Sequence, residues 1–115
     1  MGYELHITRA DRWYEAESNP ITLDEWAAYV ATDPEMRMDG FAEAQVDSGV
    51  LRYENAGLAV WIVYSGHGKN GNMAWFDHSN GEITAKNPDK EIIGKMKRIA
   101  VHFQAYVLGD EGESY

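Results

Sequence analysis

The chain has 115 residues, 44% of them apolar and 12% aromatic, which suits one hydrophobic core and leaves little room for a second. Nineteen acidic side chains against ten Lys and Arg give a net charge of −9, which argues against binding nucleic acid or an anionic membrane surface. The absence of cysteine excludes disulfides, thiolate nucleophiles, zinc–thiolate sites and iron–sulfur clusters.

Residues 3–8 alternate, with Tyr3, Leu5 and Ile7 on one side and Glu4, His6 and Thr8 on the other. That period of two predicts a half-buried strand. Residues 9–20 then read as a polar loop that holds Trp13 and Tyr14. Thr22 with Glu25 forms a capping box, flanked by Ile21 and Trp26 at the staple positions, so a helix is expected to start at Thr22. Asp33-Pro34 ends it, and Pro34 is expected to open a short turn through Arg37.

Five candidate strands follow at 41–47, 50–54, 58–65, 73–78 and 82–86, separated by Gly- and Asn-rich turns. Leu58–Ser65 is apolar on both faces, which marks a central strand with Trp61 in the core. Short links between successive strands imply an antiparallel meander. Asn87-Pro88 is expected to open the longest helix, whose stripe runs through Ile92, Met96, Ile99, Phe103 and Tyr106. A last short strand at 106–108 precedes an acidic end, Gly109 to Glu113, which lacks the EF-hand pattern and reads as a solvated tail or, with Asp110, Glu111 and Glu113, as a weak cation site. The order β-α-β-β-β-β-β-α-β predicts an α+β domain over residues 1–115. Its single antiparallel sheet of about five to seven strands carries two helices on one face. The other face is left for solvent or for use.

No motif of established chemistry is present. The segment Gly66-His67-Gly68-Lys69-Asn70-Gly71 lacks the spacing and the Ser or Thr of a phosphate loop, and strand follows it rather than helix. It reads either as a glycine-rich hairpin loop or as a small-anion cradle. In the second case His6, Arg9, His67, Lys69, Asn70 and Asp77 would converge at one end of the sheet. No His pair has the i, i+4 spacing of a zinc helix. A metal would therefore need tertiary convergence, for example of His6 with Asp77, and no cofactor is implied. No Ser-His-Asp arrangement is identifiable, so the residues name no catalytic set and leave catalysis open. Trp13 and Tyr14, beside Arg9 and Arg12, have the composition of an interaction surface, although Trp13 equally suits a role pinning its loop to the sheet.

The segments His6-Ile7-Thr8-Arg9 with Trp13, Ile21 to Trp26, Asp33 to Met36, Tyr64 to Asn72 and Gly109 to Glu113 resemble a group of small bacterial proteins of unknown function. The resemblance runs over nearly the whole chain and implies a stand-alone bacterial protein. It carries no activity and no catalytic residues.

A cytoplasmic location is expected from the lack of cysteine, of a signal peptide and of an apolar run of membrane length. The charge is uneven: residues 1–56 hold four basic and twelve acidic side chains, and residues 57–115 hold six and seven. These observations favour a non-enzymatic interaction module, in one version an inhibitor or immunity-type partner of a basic protein. A small-anion-binding protein or minor enzyme that uses the glycine-rich segment 66–71 is the alternative. The oligomeric state expected is a monomer or an edge-strand homodimer.

Overall fold

The structure, a computed structural model, describes residues 3–69 and 73–115. Eight strands form in the described residues: β1 (Glu4–Thr8), β2 (Met36–Met38), β3 (Phe41–Val46), β4 (Gly49–Glu54), β5 (Leu58–Trp61), β6 (Trp75–Ser79), β7 (Glu82–Lys86) and β8 (Tyr106–Gly109). Two α-helices accompany them, α1 (Leu23–Thr32) and α2 (Lys90–Phe103). The fold is α+β, as the element order predicts. Six strands make an antiparallel sheet in the order β2-β5-β6-β7-β1-β8, and β3 pairs with β4 in a separate two-stranded ladder.

Alternation decides which side chains meet the helices. Leu5 and Ile7 of β1, Ile83 and Ala85 of β7, Phe76 of β6, Ala59 and Trp61 of β5 and Val107 of β8 share one hydrophobic core. Trp26 and Val30 of α1 and Ile92, Met96, Ile99 and Phe103 of α2 close it. The capping box forms as expected: the Thr22 hydroxyl accepts from the Glu25 amide, and the Glu25 carboxylate accepts from the Thr22 amide. Trp26 is fully buried, and its indole donates to the Gly57 carbonyl. Gly57 has to be glycine here, since a Cβ would lie 2.7 Å from the Cβ of His78.

Several local expectations differ. The chain after Pro34 turns only briefly, and Met36–Met38 adds β2 to the sheet edge. β5 stops at Trp61, because the chain leaves the sheet to anchor on α2: the Tyr64 hydroxyl donates to Asp89 and the Ser65 hydroxyl to Glu91. The cap of α2 is Asp89, whose carboxylate accepts from the Ile92 amide. Asn87 instead adopts φ 49° and accepts from the Tyr3 amide through its side chain. Tyr106 leaves the helical stripe and starts β8, half-exposed. The expected polar loop holds a short 3-10 segment, Trp13–Ser18.

The acidic end is exposed over residues 111–115, as expected, but it is tethered to the body. Residues beyond Gly109 turn back beside β8, with a bridge from Leu108 to Ser114 and the Tyr115 amide donating to the Val107 carbonyl. Tyr3 donates its hydroxyl to Glu113, which holds that carboxyl below its usual range and pushes the phenol up. No helix among the described residues is long and apolar enough to cross a membrane.

Candidate functional site: an acidic, aromatic cleft on the open sheet face

The face of the sheet turned away from the helices carries the other half of each alternation. The register places Leu58, Asp77, Thr84, His6 and Leu108 in one row across β5, β6, β7, β1 and β8. Two walls rise from this floor. One is Trp13, from the 3-10 segment after β1. The other is the β3–β4 hairpin, which contributes Ala42 and Tyr53. Between them lies a cleft of about 520 Å³. Three carboxylates line it (Glu4, Asp77 and Glu82) against one ammonium, Lys86, and three aromatic side chains face it (Trp13, Tyr53 and Trp75).

His6 is the most constrained polar group here. It is 2% exposed although it belongs to the open face. Trp13 covers it, with ring centroids 4.3 Å apart and planes 7° from parallel. Its Nδ1 lies 2.7 Å from Glu82 Oε1 and its Nε2 lies 2.8 Å from Asp110 Oδ1. Burial pulls the imidazole pKa down, but the bonds to Glu82 and Asp110 outweigh burial and raise it above the ordinary value of 6.5. Asp110 also accepts from the Glu4 amide; that bond, and then the one to His6, holds its carboxyl below the usual range. The Trp13 indole donates to the Asp110 carbonyl at 3.0 Å. Trp13 thus pins its loop to the sheet and forms a wall of the cleft at once.

Asp77 supports the opposite wall. It accepts from the Tyr53 hydroxyl at 2.7 Å and from the Asn55 amide group, and it raises the Tyr53 pKa. The cleft therefore presents the half-buried carboxylates of Glu4 and Asp77 between aromatic faces, with Glu82 buried on His6, an arrangement that favours a cation by Coulomb attraction and ring quadrupoles. Both ring nitrogens of His6 face carboxylates, so the structure offers it no hydroxyl to activate as a nucleophile.

The residues expected to converge are divided. His6 and Asp77 line the cleft together, but not in contact with a common partner: Asp77 is held by Tyr53 and Asn55. Arg9 is committed elsewhere. It forms a bidentate pair with Glu25 at 2.6 and 3.0 Å and also donates to the Phe103 and Pro20 carbonyls. Its guanidinium, with the Thr22 amide, pulls the Glu25 carboxyl down to about 2. Arg9 thus sits at the C-terminal end of α2, while Tyr64 and Ser65 anchor the glycine segment at the N-terminal end. A 14-residue helix is roughly 20 Å long, which separates Arg9 from the turn holding His67 and Lys69. That turn is compact, with the His67 amide donating to the Tyr64 carbonyl and the Lys69 amide to the Gly66 carbonyl. Gly68 adopts φ 74°, the conformation for which the turn uses glycine. The His67 Nδ1 is buried with no hydrogen-bond partner among the described residues. Asn70 lies outside the described residues. Tyr14 is 65% exposed and meets Trp13 edge to face.

Sequence reasoning missed Glu4, Tyr53, Trp75, Glu82 and Asp110 as site residues. For Glu4 and Glu82 a signal existed: Glu82, Thr84 and Lys86 repeat the polar alternation of Glu4, His6 and Thr8. Two strands of that pattern side by side make a polar floor. For Asp110 the acidic end offered only the reading of a weak cation site, and its place beside His6 depends on β8 lying against β1. No family model, curated protein or solved structure matches this chain.

Proposed function

We propose that the protein is a non-enzymatic interaction module that receives a basic segment of a partner protein in the cleft. The observation that carries this reading is the pairing of the half-buried carboxylates of Glu4 and Asp77 with three aromatic side chains between two walls. Guanidinium and ammonium groups meet such a surface by charge pairing and by stacking on aromatic faces. The net charge of −9 adds long-range attraction, which raises the encounter rate with a basic protein. An inhibitor or immunity-type role fits this chemistry, since covering a basic site neutralises it. The small-anion alternative keeps the buried His67 Nδ1, with no partner among the described residues, and Lys69 in the same turn, and loses Arg9, which is occupied by Glu25.

The test is an NMR titration of the metal-free protein, in the presence of a chelator, with short Arg- and Lys-rich peptides. Shifts should concentrate on the indoles of Trp13 and Trp75 and on Tyr53, and affinity should fall steeply as salt rises. The variant Trp75→Ala should weaken binding by about 2 kcal/mol, within the range of an aromatic anchor. Shifts that scatter over the surface, or binding insensitive to salt, would defeat the proposal.

A further inference from the structure

Beyond a basic partner, the geometry points to a binding site for a first-row divalent metal ion at one end of the cleft, formed by Glu4, His6 and Asp110. Ligand atoms of these three residues lie within 4.8 Å of one another. Two come from one strand: Glu4 and His6 are two apart on β1 and therefore face the same side. The third comes from the residue that follows β8, the strand paired beside them. The Nε2 of His6 and Oδ1 of Asp110 are 2.8 Å apart. Two donors each about 2.1 Å from one ion, at right angles, lie about 3 Å apart, so this pair already has the spacing of neighbouring ligands. A rotation of the half-buried Glu4 side chain brings the third oxygen in.

Glu82 supplies a separate observation. It is not one of the three ligands, it is 8% exposed, and it faces the opposite ring nitrogen, Nδ1, at 2.7 Å. A carboxylate on Nδ1 keeps a proton on that nitrogen, so Nε2, whose proton is shared with Asp110, is the nitrogen that takes a metal once that proton leaves, and this is the usual support for a metal-ligating histidine. Trp13 stacked on the ring prevents it from rotating away. The electrostatic balance agrees: Glu4, Glu82 and Asp110 surround a single imidazole, so an entering dication replaces one proton, released to water, and leaves the group less negative. One nitrogen and two carboxylate oxygens suit Mn²⁺ or Zn²⁺ better than Mg²⁺, which prefers oxygen and water. Glu4 and His6 border the open cleft, so the remaining coordination positions face solvent.

The probes are ZnCl2, MnCl2 and MgCl2 with the intact chain. Calorimetry should show one Zn²⁺ site, with Mg²⁺ binding at least about tenfold more weakly. Mn²⁺ should broaden the NMR signals of Glu4, His6, Asp110 and the Trp13 indole first. The variant Glu4→Gln should weaken Zn²⁺ by about tenfold or more with an unchanged circular dichroism spectrum. Asp110→Asn should do the same; because it can also loosen the segment after β8, Glu4→Gln is the deciding variant. Broadening centred on other carboxylates, equal affinity for Mg²⁺ and Zn²⁺, wild-type affinity in Glu4→Gln, or no binding would each overturn the assignment. Because the peptide titration uses chelated protein, failure here leaves the basic-partner reading standing, and the reverse also holds.

Discussion

His6 shows how one residue ties together parts of the chain that are far apart in sequence. Its ring joins β1 to Glu82 of β7, to Asp110 after β8 and to Trp13 of the 3-10 segment. In the metal-free protein its folded-state pKa lies above the unfolded value of 6.5. The proton therefore stabilises the fold fully below pH 6.5, and that contribution disappears as pH rises through the folded value. Thermal unfolding followed from pH 6 upward should show the midpoint falling across this window. His6→Gln should lower stability at pH 6 and flatten the pH dependence above it. A wild-type midpoint that stays level or rises over the same range would contradict the role given to the pair of carboxylates.

Among the elements, the junction of α1, β2 and α2 depends on a buried ion pair. Lys95 of α2 is 4% exposed, and its Nζ donates to Asp33 at 2.7 Å and to Glu35 at 3.1 Å. Burial works against the Asp33 carboxylate, but the bond to Lys95 holds its pKa below the ordinary value. Replacing Lys95 by Met leaves Asp33 buried without its cation, and should cost about 3–5 kcal/mol in denaturant unfolding. The double variant Lys95→Met, Asp33→Asn should recover part of that loss, because no uncompensated charge is left. The sequence showed Lys95 only as a cation late in an amphipathic helix, because nothing local says that Asp33 will face it. What was legible has local causes: the Thr22–Glu25 box, the Leu5 and Ile7 alternation, and the stripe of Ile92, Met96, Ile99 and Phe103. What was not legible depends on tertiary placement. Asp89 caps α2 because Asn87 is drawn to Tyr3, and β5 ends early because Tyr64 and Ser65 reach α2. The cleft divides in the same way. His6, Asp77 and Trp13 stood out by residue type, while Asp110 and Tyr53 became visible only with strand order and hairpin placement.

On the scale of the whole molecule, the two sheets differ in support. The six-stranded sheet ends on one side in β2, only three residues long, and on the other in β8, along which residues 113–115 turn back. Both edges are thereby blunted against pairing. The β3–β4 hairpin has open edges and exposed apolar side chains, with Val50 at 59% and Leu51 at 64% exposure. A two-stranded ribbon gains little stability alone. Its tethers to the body include Tyr53 and Asn55 on Asp77, so it should open without the rest unfolding. Hydrogen exchange followed by mass spectrometry should find residues 41–54 exchanging first and β1 and β7 last. A basic partner in the cleft should slow the hairpin. Protection of the hairpin equal to that of β1 in the free protein would contradict this division.

The position of β1 has a consequence for how the chain reaches this state. Strand β1 pairs with β7 and β8, whose residues leave the ribosome about eighty and about one hundred positions later. Leu5 cannot meet Ala85 until the intervening 79 residues are outside the tunnel, and it meets Gly109 later still. Closing a loop of that length costs only a little more than closing one half as long, about 0.6 kcal/mol, so stability is hardly affected. The rate is another matter: pairing so distant in sequence slows folding, and the nascent β1 spends most of synthesis with Leu5 and Ile7 unsheltered.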